Sequence, residues 1–221
     1  MYQLVIILAA LVLLWFLLVK ALPEFQLTSI ELIGRDLTLA VDETRLPKIL
    51  LLISTSRLES ELRQQYPLLA QIKVSKKYPH TLVITADTRT TLAVLSIENA
   101  YYLLDREGMV LGETDFPGSW PQIAVATREK PKLGMVLSDK KVQQSLRFLG
   151  LSKEIFTTVS VTDGDSLSLR AKTGETEILF PQDEDLTGKI ATLQTLFSGF
   201  RIKGILPTRI DLRYNKPTVI F

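Results

Sequence analysis

"KVSKKYPHTLVITADTR" (Lys73–Arg89) sets two runs of alternating apolar and polar residues about a basic, proline-containing corner. Ile72 and Val74 share one face of the first run, with Lys73 and Ser75 on the other. In the second run Leu82 and Ile84 share a face, and Thr81, Val83 and Thr85 share its opposite. Side chains alternate along a strand, so the pattern predicts a strand, a Tyr78-Pro79-His80 corner and a second strand. A two-stranded hairpin is not stable alone in water, so its apolar face must cover another element.

That element lies just upstream. "SRLESELRQQYP" opens with a capping box, Ser56 and Glu59, and places Leu58, Leu62 and Tyr66 on one face of a helix. Pro67 biases Tyr66 out of the α region and ends it. Earlier still, "FQLTSIELIG" (Phe25–Gly34) reads as a strand closed by its glycine. In "VDETRLPKILLLIS", Asp42–Leu46 has room for one helical turn before Pro47 interrupts it. The order is then β-α-α-β-β.

The chain begins "MYQLVIILAALVLLWFLLVKALPEF", with no charged side chain from Leu4 to Val19. About 19 residues at roughly 1.5 Å each match the ~30 Å hydrocarbon core, and a helix satisfies its own backbone groups there. Trp15 and Lys20 suit the interface at its end. The alternative is a cleaved signal peptide, for which Val19–Ala21 offers small residues. A basic n-region is missing, and the run exceeds the usual apolar core of about 7–15 residues. A retained single-pass anchor is the favoured reading. Charge does not settle its orientation, since almost nothing precedes Leu4 and Lys20 lies beyond the run.

Downstream of Thr90 the character changes. "TLAVLSIENAYYLLDREGMVLGE" holds two or three short strands, with Asp105–Gly108 as a turn. "LSDKKVQQSLRFLGL" is an amphipathic helix capped by Ser138 or Asp139, with Val142, Leu146 and Leu149 on one face. Three strands follow, linked at Asp163-Gly164 and Thr173-Gly174. A second helix over about Leu186–Phe200 presents Ile190, Leu193 and Phe197. "TRIDLRYNKPTVIF" closes the chain as one or two strands; Ile210, Leu212 and Tyr214 alternate with Asp211 and Arg213. Pro217 lacks a backbone donor, which suits a sheet edge.

The composition narrows the functions. There is no cysteine, so neither disulfides nor thiolate metal sites arise. The +2 balance of 26 basic and 24 acidic residues argues against a nucleic-acid binder. The one histidine, His80, sits in the hairpin corner and reads as a solvated turn residue rather than a catalytic or metal-binding one. "QDEDL" (Gln182–Leu186) resembles a cation-binding cluster less than it resembles acids favoured at the start of the following helix. Serines and lysines are plentiful, so spacing leaves a Ser–Lys pair open. A membrane-anchored envelope hydrolase or peptidase is therefore the rival reading.

Four pieces together resemble the FtsQ/DivIB family of bacterial division proteins. "IELIG" (Ile30–Gly34) is similar to the family's first strand and glycine. "LRQQYPLLAQIKVSKKYPHTLVITADTR" matches its helix–Pro–strand–basic corner–strand run, ending in Asp87 and Arg89. "YYLLDREGMVL" looks like its Asp-then-Gly hairpin, and "IDLRY" (Ile210–Tyr214) like its C-terminal strand. The chain departs from the family in having almost no basic tail before Leu4, and in a short first helix.

The resemblance implies an α+β chain. An anchor (residues 1–22) precedes a β-α-α-β-β domain of the polypeptide-transport-associated (POTRA) type (23–89). A larger β-rich domain (90–221) follows, with an antiparallel sheet and two helices. It implies a non-enzymatic scaffold at the division septum, without cofactor or metal, whose ectodomain lies outside the cytoplasmic membrane. Partners would be FtsB/DivIC-type and FtsL-type bitopic proteins, the septal peptidoglycan synthesis machinery and the lipid bilayer. The expected partner-binding residues are Ile210, Asp211, Leu212, Arg213 and Tyr214 on an edge strand, with Arg213 and Tyr214 exposed and Asp211 organising the turn. Lys73, Lys76, Lys77 and Arg89 form a basic margin that either discourages strand aggregation or meets anionic lipid or an acidic partner.

Overall fold

The structure is a computed structural model that describes residues 12–13, 15–16, 20, 22–34, 43–156, 158–165 and 167–221. Most of the Leu4–Val19 run lies outside these residues, and among those described no helix is long and apolar enough to cross a membrane. Val12, Leu13, Trp15 and Phe16 are helical and exposed, and the Lys20 ammonium stands 5.3 Å from the Phe16 ring centre. The chain divides into two compact units, Met1–Arg89 and Thr90–Phe221.

In the first unit, β2 (Leu69–Lys77) and β3 (Thr81–Thr88) form the expected antiparallel hairpin. Strand β1 (Ser29–Ile33) joins it in parallel along β3, which makes the ribbon a three-stranded sheet of order β1-β3-β2. Ile72, Val74, Leu82, Ile84 and Ala86 are all buried against Leu58 and Leu62 of helix α1 (Thr55–Gln65). The period-2 pattern of the hairpin and the i, i+4 pattern of the helix thus meet in one core. His80 is half-buried rather than solvated. Its Nδ1 lies 3.2 Å from the Gln26 carbonyl, and its own carbonyl accepts the Thr28 N–H.

The start of α1 lies earlier than the sequence pattern suggests. Ser54 is the N-cap, its hydroxyl accepting from the Arg57 N–H, so Ser56 and Glu59 make no capping box. The place of the first expected helix is taken by short 3₁₀ turns at Glu43–Arg45 and Leu50–Leu52; Arg35–Asp42 lie outside the described residues. Pro47 and the three consecutive leucines favour such turns over a longer helix with a single apolar face.

The second unit is built on a nine-stranded sheet of order β12-β11-β10-β9-β8-β7-β4-β5-β6. Its strands are β4 (Ala93–Ile97), β5 (Ala100–Leu104), β6 (Val110–Thr114), β7 (Gln122–Ala124), β8 (Ser160–Asp163), β9 (Ser168–Thr173), β10 (Thr176–Pro181), β11 (Arg209–Asp211) and β12 (Thr218–Ile220). The sheet is mixed, not antiparallel as expected: β4–β7, β7–β8 and β10–β11 pair in parallel. The two helices account for the second and third of these, while β4 and β7 are joined through β5 and β6 without a helix. Helix α2 (Lys140–Ser152) carries the chain from β7 to β8 and α3 (Thr187–Lys203) from β10 to β11. A crossover through a helix returns the chain in the same direction.

Both helices present the expected faces. Val142, Leu146 and Leu149 of α2 and Ile190, Leu193 and Phe197 of α3 share one core with Leu95, Ile123, Val161, Ala171, Ile178 and Ile210 from the strands. Asp139 caps α2 through its carboxylate, which accepts from the Lys141 and Val142 N–H groups. The turn between β5 and β6 is closed by Asp105, whose Oδ1 accepts from Glu107 N at 2.9 Å and Met109 N at 2.8 Å. Gly108 there has φ +84, and a Cβ would meet the Leu137 carbonyl at 3.2 Å, so glycine is required.

Candidate functional site

The C-terminal stretch singled out by sequence folds in two parts. Ile210 lies in β11 and is fully buried, as is Leu212, whose N–H reaches the Leu179 carbonyl at 2.8 Å and prolongs the pairing with β10. Burying two such side chains contributes about 1.5–3 kcal/mol each, which fixes the strand in the sheet. The chain then reverses through Asn215-Lys216-Pro217 and returns as β12, antiparallel to β11. The edge is therefore β12, and β11 is an interior strand between β10 and β12. Ile210 and Leu212 belong to the core and are not available to a partner.

A charge cluster holds the reversal. The Arg213 guanidinium bonds both oxygens of Asp211, at 2.6 to 3.1 Å, and also reaches the Asp165 carboxylate on the loop before β9. Asp211 Oδ1 in addition accepts the Arg213 backbone N–H at 3.0 Å, so it organises the turn as expected. The Arg213 bond, outweighing desolvation, holds the Asp211 carboxyl below the usual carboxylate range. Asp165 is lowered too, first by the Ser168 hydroxyl and the Leu167 N–H. Conversely, Asp211 keeps Arg213 more firmly protonated than a free arginine. Arg213 is thus tied inward rather than freely exposed.

This cluster has a pH consequence. The folded Asp211 binds its proton more weakly than the unfolded one, so its stabilisation is complete above about pH 4 and is lost as the pH falls through the lower, folded value. Denaturant titrations of the chain should show stability falling over that acidic interval. Arg213→Gln should flatten the fall, and an unchanged slope in that variant would remove the cluster as its source.

Tyr214 is the exposed member, at 64% of its full accessibility, with the Arg213 guanidinium carbon 5.6 Å from its ring centre. It lines a cleft of about 360 Å³ with Asp185, Gly188, Lys189 and Thr192 of the α3 start and Asn215 and Pro217 of the reversal. Lys189 Nζ donates to the Leu212 and Arg213 carbonyls and pairs with Glu184, which fastens the reversal to α3. Asp185 accepts from the Thr187 N–H and hydroxyl, and Asp183 pairs with Lys140. The acids of "QDEDL" therefore serve the helix start and its ion pairs. Among the described residues no three metal-ligating groups converge.

The two ends of the large sheet differ. At the β6 end, a segment at 134–137 already bonds the strand's beginning: Val110 N to Met135 O, Gly134 N to Val110 O and Leu137 N to Gly108 O. At the other end, among the described residues, no strand pairs with the far side of β12. Ile220 of β12 is exposed, and Phe221 packs edge-on against Phe200. Such an edge presents backbone donors and acceptors to an incoming strand.

The model of the cell division protein FtsQ/DivIB C-terminal family matches residues 93–213. The chain belongs to the FtsQ/DivIB family. No curated protein matches it. The family match spans the second unit from β4 through Arg213 and points to a role in cell division. Tyr214 and β12 follow directly after the matched span. FtsQ/DivIB is a non-enzymatic division protein family. Two clefts hold a serine and a lysine, Ser152 with Lys153 and Ser29 with Lys48. Ser152, buried beside Lys153, has a hydroxyl without a hydrogen-bond partner, and the Ser29 hydroxyl engages Thr81.

Sequence reasoning placed the other candidate residues on β2 and at the end of the hairpin, and much of that basic margin is engaged within its own unit. Lys77 pairs with Glu31 at 3.2 Å, Lys76 Nζ donates to the Leu51 carbonyl at 2.9 Å, and Arg89 Nε to the Pro67 carbonyl at 3.3 Å. Lys73 is exposed on the strand between them. The edge role of β12 was missed because Thr218–Ile220 is too short to carry a periodic signal.

Proposed function

We propose that this chain is a non-enzymatic scaffold of the division septum that takes a strand from a small bitopic partner along β12. FtsB/DivIC-type and FtsL-type proteins are the partners that family resemblance favours, and through them the chain influences septal peptidoglycan synthesis. The observation that carries the reading is the open β12 edge flanked by the exposed Tyr214. Main-chain bonds supply affinity in strand addition, and alternate side chains supply specificity. Tyr214 acts as the aromatic anchor, while Asp211 and Arg213 hold the reversal that presents it.

In the same reading the Leu4–Val19 run is a single transmembrane anchor, and the domains after it lie on the outer side of the cytoplasmic membrane. Residues 23–89 act as a POTRA-type domain and 90–221 as the partner-binding domain. Lys73, Lys76, Lys77 and Arg89 give the first of these an electrostatic contact with anionic lipid or an acidic partner, weakened by salt.

Co-purification of the full chain from membranes tests the proposal. Small bitopic division proteins should be recovered in near-stoichiometric amounts. Their absence, with the chain itself folded, would overturn it. In cells, Lys73→Glu with Lys76→Glu and Lys77→Glu should weaken recruitment to the septum, and unchanged recruitment would leave the lysines only a solubility role.

A further inference from the structure

The free side of β2 is occupied by its own helix. Glu59 Oε1 accepts the Val74 N–H at 2.8 Å, and Arg63 donates to the Ile72 carbonyl at 3.4 Å. Residues two apart on a strand point their backbone groups the same way, so both bonds lie on the side away from β3. In a parallel ladder, one residue of a neighbour donates to one such carbonyl and accepts from the N–H two residues on. The Glu59 carboxylate and Arg63 guanidinium therefore stand in for a neighbouring residue opposite Lys73. They are four apart on α1, which places them on one side of the helix, and the adjoining Leu58 and Leu62 are buried in the core. The helix's own packing aims the two polar side chains at the edge.

We propose that Glu59 and Arg63 form a guard that closes the β2 edge, and that a second copy of this chain is what it excludes. β2 is nine residues long, and its centre is extended and held to the core by the buried Ile72 and Val74 side chains. A bare edge of that length is self-complementary: two copies can pair it antiparallel about a two-fold axis, each giving the same donors and acceptors. The exposed Lys73 adds a charge that two paired copies would bring near each other. The guard leaves strand addition to the other sheet, and it stands on contacts independent of the β12 reading.

Two measurements on the full chain test it. Amide exchange at Val74 should accelerate about ten-fold or more in Glu59→Ala, the effect of losing one charge-assisted bond, and much less in Glu59→Gln, which keeps an acceptor. The double variant Glu59→Ala, Arg63→Ala should become a concentration-dependent dimer by light scattering. A cysteine introduced by Lys73→Cys in that background should then cross-link two copies. Unchanged Val74 exchange in Glu59→Ala would show that the guard is not made. A double variant that stays monomeric with an unprotected Val74 amide would overturn the second copy as the excluded partner.

Discussion

Removing residues 218–221 from the full chain should abolish capture of an FtsB/DivIC-type partner and leave the rest of the large sheet folded. The removed segment pairs as a strand with β11 and adds the Phe221 ring to Phe200 at the surface, while β11 keeps Ile210 in the core and β10 as its other neighbour. The loss therefore falls on the edge and not on the fold, which circular dichroism would show. Tyr214→Ala in the same capture assay should lower affinity by about ten- to a hundred-fold, the range of an aromatic hot spot of roughly 1.5–3 kcal/mol. Arg213→Ala acts differently. Its guanidinium is spent on Asp211 and Asp165, so the change loosens the reversal and shows first in stability. Undiminished binding by the truncated chain would move the docking site off β12.

Phe180→Ala should cost the chain about 3–5 kcal/mol, the range for emptying a fully buried aromatic site. Phe180 of β10 and Phe148 of α2 are both fully buried, with rings stacked at 4.3 Å and 10°. The cavity left between helix and sheet would be lined by side chains of both layers, which cannot close together without moving α2. Denaturant unfolding measures the loss, and a change under about 1 kcal/mol would show that the layers collapse to fill the space. Ile220→Ala, by contrast, removes a half-exposed side chain at the edge and should barely move the midpoint.

Much of this fold is legible in the sequence, for identifiable reasons. The hairpin at Lys73–Arg89 and the faces of α1, α2 and α3 follow from periods of 2 and 3.6, which burial on one side enforces. The direction of the strands was missed although the sequence carries it. Each of the two amphipathic helices stands between two strands, and a strand–helix–strand passage returns in parallel. The capping box at Ser56 and Glu59 misled for a different reason: Glu59 has the right spacing, but the Val74 N–H competes for its carboxylate and wins.

The candidate site was half legible. Alternation of Ile210 and Leu212 against Asp211 and Arg213 correctly marks a strand with a buried face, and Tyr214 lies exposed at its end. Alternation cannot say which strand is outermost, because that depends on whether the chain comes back. Three residues beyond Pro217 decide it by pairing with β11. Asp165 was invisible for the same reason. It lies 48 residues from Arg213, and only the placement of β9 beside β10 and β10 beside β11 brings the two together.

The central claim is that a partner strand adds to β12. Backbone amide exchange of the full chain, with and without an FtsB/DivIC-type partner, tests it most directly. The account predicts strong new protection at Thr218–Ile220, little change along β6, and no loss of protection in β11. A stable complex that leaves the β12 amides exchanging as they do in the free chain would contradict it.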